Sequence, residues 1–275
     1  MKNRPNITDL WPRLKMVVFL VLVCGVVQAT RTTVRAADEN SGDLAVSSTV
    51  SADYIRARLP DGSFQPEAYA FGRGGYYRGW LSDATIDHLR FPDVARTIAA
   101  PLANQNYLPA KDPDQTKLLI MVYWGMSNGV ADAPRGGSRS ELASFLDSQG
   151  NSTLLDTQNA RMLGYESVRS ESSMLRGTAL AFRSLDSMDE LQHNRYFVVL
   201  MAYDFQLLWK QKKHKLLWTT RFSIPERRNA FDYRLPAMAL NASPYFGQSS
   251  NGLTHKPLPE GKVEIGELKS LGVVP

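Results

Sequence analysis

The sequence predicts an α/β (α+β) fold: a single mixed or antiparallel sheet of about four strands, helices packed on it, and a helical insertion. Three observations predict it. Residues 117–124 and 196–204 are short, continuous apolar runs rich in Val, Leu, Met and Tyr, and their length suits buried strands rather than core helices. Residues 216–224 alternate, placing Leu216, Trp218, Thr220, Phe222 and Ile224 on one face of a strand. Residues 91–102 and 231–242 carry apolar side chains at spacings of three and four, the period of an amphipathic helix. Helix and strand alternate too irregularly for a doubly wound parallel sheet, and no repeat at solenoid or propeller spacing appears.

Taken from the N-terminus, residues 16–27 form an almost unbroken apolar run preceded by Lys2, Arg4, Arg13 and Lys15 and followed by Ala29. Positive, apolar, then small is the layout of a secretory signal peptide, with cleavage after Ala29. A spanning helix needs about 20 apolar residues, so an uncleaved single-pass anchor over residues 16–27 is the competing reading. A lipoprotein is the third, because Cys24 is the only cysteine, but Val23 before it is larger than lipid attachment favours. Cleavage after Ala29 removes Cys24 and leaves a chain without disulfides or cysteine ligands. It also corrects the charge. The formal net charge is +5, residues 1–29 hold four basic side chains against Asp9, and the remainder is therefore only +2. That is weak support for a nucleic-acid partner.

Residues 30–63 read as a disordered linker, rich in Ser, Thr, Ala, Asp and Glu. The domain proper is expected over residues 64–248. Within it, Pro92 and Asp93 open the first helix, and Lys111, Asp112, Pro113 and Asp114 turn the chain into strand 117–124. Residues 125–194 form the helical insertion, entered through a loop with Gly125, Gly129, Pro134, Gly136 and Gly137, with helices expected over 140–147, 154–163 and 172–184. Strands 196–205 and 214–224 are joined by a polar hairpin over residues 210–215. Residues 249–275 form an extended C-terminal tail in which Val263 and Ile265 mark one short strand.

Chemistry is hard to find in this chain. The four histidines, His88, His193, His214 and His255, lack metal-ligand spacing, so no metal site is expected. No Gly-x-Ser-x-Gly elbow occurs; a set such as Ser138, His193 and Asp204 could assemble in space, but no local pattern supports it. Gly72, Arg73, Gly74 and Gly75 are not followed by the Lys-Ser/Thr of a phosphate loop, and no cofactor is expected. Asp204, at the end of an apolar strand, reads as a residue that caps or turns the chain. Trp124 and Trp218 read as core.

Two surfaces remain as candidate binding sites. Arg73, Tyr76, Tyr77 and Trp80 combine aromatics, a guanidinium and flexible backbone, which suits a glycan or peptide; the bland alternative is a turn whose aromatics cover a sheet edge. Lys210, Lys212, Lys213 and Lys215 crowd into the hairpin, which suits an anionic envelope polymer or phospholipid head groups; the alternative is a solvated tip whose lysines discourage edge pairing.

The order of elements resembles a known group. An amphipathic helix leads through Asn106, Tyr107, Leu108 and Pro109 into strand 118–124. Later come a strand ending in Asp204, a hairpin, a strand containing Leu216, Leu217 and Trp218, and a closing helix ending near Tyr245, Phe246 and Gly247. This resembles uncharacterised bacterial envelope proteins and lipoproteins whose domain is similar to the small α/β domain at the front of the Tol–Pal propeller protein and in curli-secretion-type lipoproteins. The resemblance covers roughly residues 64–248 on short, core-forming motifs; residues 125–194 are longer than the pattern needs. It implies an envelope binding or assembly role rather than a reaction. The expectation is thus an exported, periplasmic or secreted, non-catalytic module. Its partner would be an envelope protein or anionic envelope polymer and not nucleic acid, with membrane contact only through the N-terminal segment or the basic hairpin. The alternatives are an exported hydrolase with its site in the insertion and a membrane-tethered structural protein.

Overall fold

Strands β1 (Asp43–Val50), β2 (Glu67–Tyr77), β3 (Tyr107–Pro109), β4 (Leu118–Met126), β5 (Arg195–Asp204), β6 (Leu216–Pro225) and β7 (Leu253–Pro257) form one mixed sheet in the order β3-β2-β4-β5-β6-β1-β7. This computed structural model describes residues 43–132, 151–168 and 179–258. The segment expected as a signal peptide, with Ala29, as well as Ser138 and residues 263–265, lies outside that set. β2 pairs in parallel with β3 and β4, and every other neighbouring pair is antiparallel. The α/β class is as expected, but the sheet has seven strands rather than about four.

The three strands read from apolar runs and alternation are present as β4, β5 and β6. The four others were hidden, each for a physical reason. β1 falls in the segment assigned to a linker because it is rich in Ser and Thr. The Ser48 hydroxyl is buried and satisfied. Ser48 Oγ donates to Tyr245 O at 2.9 Å and shares a 2.8 Å hydrogen bond with Thr220 Oγ1. Hydrogen-bonded polar groups lose their desolvation penalty, so a central strand between β6 and β7 accepts them. Their β-branched neighbours Val46, Thr49 and Val50 were the overlooked signal. β7 lies in the assigned tail and is held by pairing with β1 from Asp43↔Pro257 to Ser47↔Leu253. β2 was concealed by its glycines, and β3 is only three residues long.

One face of the sheet carries Val46, Tyr69, Ile120, Val122, Trp124, Val198, Leu200, Trp218, Phe222 and Ile224, all buried. Helices α1 (Ala84–Asp87) and α2 (Phe91–Ala103) and, near the C-terminus, α6 (Phe231–Ala242) supply the other half of this core through Ile86, Val94, Ile98, Leu102, Phe231, Leu235 and Met238. Each such side chain stabilises by about 1.5–3 kcal/mol through burial. A bulge between Ala202 and Tyr203 shifts the register at the start of β6. It turns Leu217, not Leu216, toward this core and leaves Leu216 39 % exposed, against the strict alternation read from the sequence.

The opposite face is covered by α3 (Asn151–Leu163) and α4 (Ala179–Gln192), which pack Ala160, Leu163 and Leu191 against Ala45, Phe197 and Val199, with Tyr165 just beyond α3. Both helices belong to the segment expected as a helical insertion, although α4 starts and ends later than the expected 172–184, and the expected helix 140–147 lies outside the described residues. Three layers result, with helices on both faces of the sheet. Among the described residues no helix is long and apolar enough to cross a membrane.

Candidate functional site

The four residues Arg73, Tyr76, Tyr77 and Trp80 do not form one surface. Gly72, Gly74 and Gly75 are not a loop but part of β2, where Gly72 and Gly74 accommodate side chains of β4. A Cβ on Gly72 would stand 2.2 Å from Met121 Sδ, and one on Gly74 would stand 2.7 Å from the Tyr123 ring. Arg73 is in register with Val122, on the face of the main core, and is exposed. Tyr76 stacks on Trp124, with ring centroids 5.9 Å apart, and its hydroxyl donates to Asp87. Burial, then that hydrogen bond, push the Tyr76 phenol above its usual range. Tyr76 is therefore a cover for the core. Trp80 follows the strand and donates its backbone N–H to Asn128 Oδ1 at 2.7 Å. Only Tyr77 turns to the second face, where its ring lies 6.0 Å from that of Phe197.

Tyr77 there borders a cleft of about 560 Å³ that sequence reasoning missed. Its floor is set by register. Tyr77 leads through Gly125 to Phe197, and Tyr123 leads through Val199 to Arg221. Met201 extends the floor by one more row. One wall is α3, which presents Thr157, Gln158, Arg161 and Met162 at helical spacing. The alternation of Leu119, Met121 and Tyr123 with smaller or buried neighbours was a signal for this face, but Arg221 and α3 join it only through the fold.

The basic hairpin is more structured than expected. The β5–β6 connection contains a helix, α5 (Phe205–Gln211). Asp204 caps it, Oδ1 accepting the Leu207 N–H at 2.9 Å, so its role is the structural one. Trp209 is 41 % exposed and stacks on Phe205 at 6.0 Å. Lys210 Nζ lies 5.8 Å over the Trp209 ring, and Lys212, in the left-handed region at φ 57°, donates its Nζ to Trp209 O at 3.1 Å. Lys210, Lys212 and Lys213 are exposed. Lys215 is not part of that group. It pairs with the Asp53 carboxylate, and with Ser51 it holds that acid down at about 2.

The hydrolase candidates do not converge. His193 precedes β5 and Asp204 ends it, a separation of about 30 Å along a strand. The neighbours of His193 are instead Asp132 at 3.1 Å and Asp189 at 3.9 Å. Asp132 is further held by Arg227 at 2.7 Å and by the Asn194 N–H at 2.8 Å. Burial would raise the Asp132 carboxyl, but these hydrogen bonds prevail and lower it. Among the described residues no group of three His, Cys, Asp or Glu is placed to hold a metal.

A second polar cluster joins α4 to the sheet. Arg195 is 2 % exposed; its Nη1 lies 3.0 Å from Glu190 Oε2 and its Nε donates to Ser223 Oγ at 3.1 Å. Tyr165 donates to Glu190, and His255 Nε2 lies 3.0 Å from Glu190 Oε1. Burial alone would raise the Glu190 carboxyl, but His255, Arg195 and Tyr165 outweigh it and hold the group below its usual value. Every member has its partner inside the cluster, so it pins α4, β5, β6 and β7 together.

Comparison with known proteins adds little to this geometry. No protein-family profile and no curated protein matches the chain. Among solved structures, it is similar to a PDZ domain protein from Parabacteroides distasonis ATCC 8503, with 9 % identity and a TM-score of 0.39. That match covers 78 % of this chain, and the chain spans 38 % of the length of that protein.

Proposed function

We propose that this protein is an exported, non-catalytic binding module of the bacterial cell envelope that docks on anionic phospholipid head groups through the β5–β6 tip. The observation that carries the reading is the composition of that tip: an exposed Trp209 on a short capped helix, with Lys210 and Lys212 against it and exposed Lys213 next in the chain. An indole with one apolar side and one wet edge suits the lipid–water boundary. Lysine stems cover apolar surface while their ammonium groups meet phosphate, and the exposed Trp209 favours a lipid surface over a polymer. The apolar, positively flanked N-terminal run supports export, and the order of elements supports kinship with envelope proteins similar to the Tol–Pal and curli-secretion domains.

The test is sedimentation with vesicles containing anionic lipid, using the full chain and its Lys210→Gln, Lys212→Gln, Lys213→Gln triple variant. The N-terminal run is common to both, so the difference reports the tip. Each lysine near an anionic surface contributes about 1 kcal/mol, so the triple variant binds at least tenfold more weakly at low salt, and wild-type binding falls as salt rises. Equal binding by the two, or binding indifferent to salt, removes the tip from the function. Export has its own readout. Mass spectrometry of protein recovered from cells finds Thr30 as the first residue; an intact Met1 makes the opening segment an anchor and favours the tethered alternative.

A further inference from the structure

The geometry points to the cleft between α3 and the β2–β4–β5–β6 face as a binding site for a small amphipathic anion, a long-chain carboxylate, with its chain on the aromatic and thioether floor and its head group at Arg221 and Arg161. The volume, about 560 Å³, falls in the range of about 300–1,000 Å³ typical of small-molecule sites. The floor is apolar throughout: Tyr77, Tyr123, Phe197, Val199 and Met201. From β2 to β6 it crosses three strand intervals, about 14 Å, a length comparable to an extended dodecanoyl chain. Thioether and aromatic surfaces adapt to a flexible chain better than a rigid aliphatic wall does.

The charge settles which end of the ligand goes where. Arg221 projects from the middle of β6 and is half-buried, yet it makes no hydrogen bond or ion pair with any described residue. Burial pulls its guanidinium below the usual value, with the charge of Glu166 opposing. A guanidinium so placed gains from a carboxylate, which it can hold with two parallel hydrogen bonds. Arg161 stands at the rim, 3.7 Å from Glu166 and largely exposed, where it adds attraction for an incoming anion. Gly74 of β2 and Gly125 of β4 belong to the same design. At Gly74 a Cβ would strike the Tyr123 ring, and at Gly125 it would strike Tyr77, so these positions keep the aromatic floor low and the cleft open.

The site is separate from the docking tip, and so is its test. Dodecanoate, below its micelle concentration, is titrated calorimetrically into the full chain, with dodecan-1-ol as the uncharged comparison. One dodecanoate binds per chain. Arg221→Gln weakens dodecanoate at least tenfold and leaves dodecan-1-ol unchanged. Should Arg221→Gln fail to fold, Arg161→Glu decides, because its side chain is exposed and its reversed charge weakens dodecanoate severalfold while sparing the alcohol. The three-lysine tip variant binds dodecanoate as the wild type does. No saturable dodecanoate binding by the wild type overturns the inference. So does equal binding by Arg161→Glu and wild type, or an equal loss of acid and alcohol.

Discussion

Replacing Glu190 by alanine lowers the unfolding free energy by about 3–5 kcal/mol, the range for removing one partner of a buried ion pair. The cause is what remains. Arg195 is 2 % exposed, and Glu190 supplies the carboxylate 3.0 Å from its Nη1. Without it the guanidinium keeps hydrogen bonds to Ser223 Oγ and Ser223 O but has no countercharge. His255 and Tyr165 lose their acceptor at the same stroke. Urea unfolding measures the loss. A double variant, Glu190→Leu with Arg195→Met, recovers most of it, because an apolar pair of similar volume leaves no charge stranded. A loss below about 1 kcal/mol in the single variant would show that water solvates Arg195 and that the pair is superficial.

The same group gives acid stability a direction. The Glu190 carboxyl lies below its usual value in the folded chain. Its contribution is therefore complete above the unfolded-state value, near pH 4.5, and fades as pH falls through the lower folded value. The wild type loses this increment on acidification and Glu190→Ala has none to lose, so their unfolding curves converge toward low pH.

Gly125→Ala destabilises by about 3 kcal/mol, at the upper end for overpacking. An added Cβ would stand 2.2 Å from the Tyr77 carbonyl oxygen, which is backbone of the neighbouring strand and cannot rotate away. β2 must move bodily from β4, and Tyr77 with it. Gly75→Ala is the control. It lies in the same pair of strands, but its Cβ would meet only Tyr123 Cδ1 at 3.9 Å, an ordinary contact. That change stays within about 0.5 kcal/mol. Thermal unfolding of the two variants separates them; similar losses would mean that glycine itself, and not close approach at Gly125, matters in this sheet.

Reading the chain for periodicity succeeds where burial is continuous. β4 and β5 are legible because both are central strands of continuous apolar runs, and α2 and α6 because one side meets the core and the other meets water. Reading by composition fails at β1. Ser47, Ser48 and Thr49 look like linker residues, yet the hydroxyl of Ser48 is satisfied by Thr219, Thr220 and Tyr245, more than 170 positions away. The same holds at Gly72–Gly75, where glycine reads as a turn but Gly72 and Gly74 in fact seat side chains of β4.

The candidate sites divide along the same line. Lys210, Lys212 and Lys213 are neighbours in sequence and remain neighbours in space, since a short connection cannot scatter them. Lys215 leaves the group because Asp53, brought near by the pairing of β1 with β6, offers it a carboxylate. Tyr77 parts from Tyr76 because consecutive strand residues face opposite sides of a sheet. The sequence by itself determined the α/β class, three central strands, two core helices and the basic tip, all of which depend on neighbours within a few residues. Only the tertiary structure decided the outer strands, the Glu190–Arg195 cluster and the cleft that gathers Tyr77, Tyr123, Arg161 and Arg221. Strand register and helix docking join residues tens to hundreds of positions apart, and local pattern carries no record of those pairings.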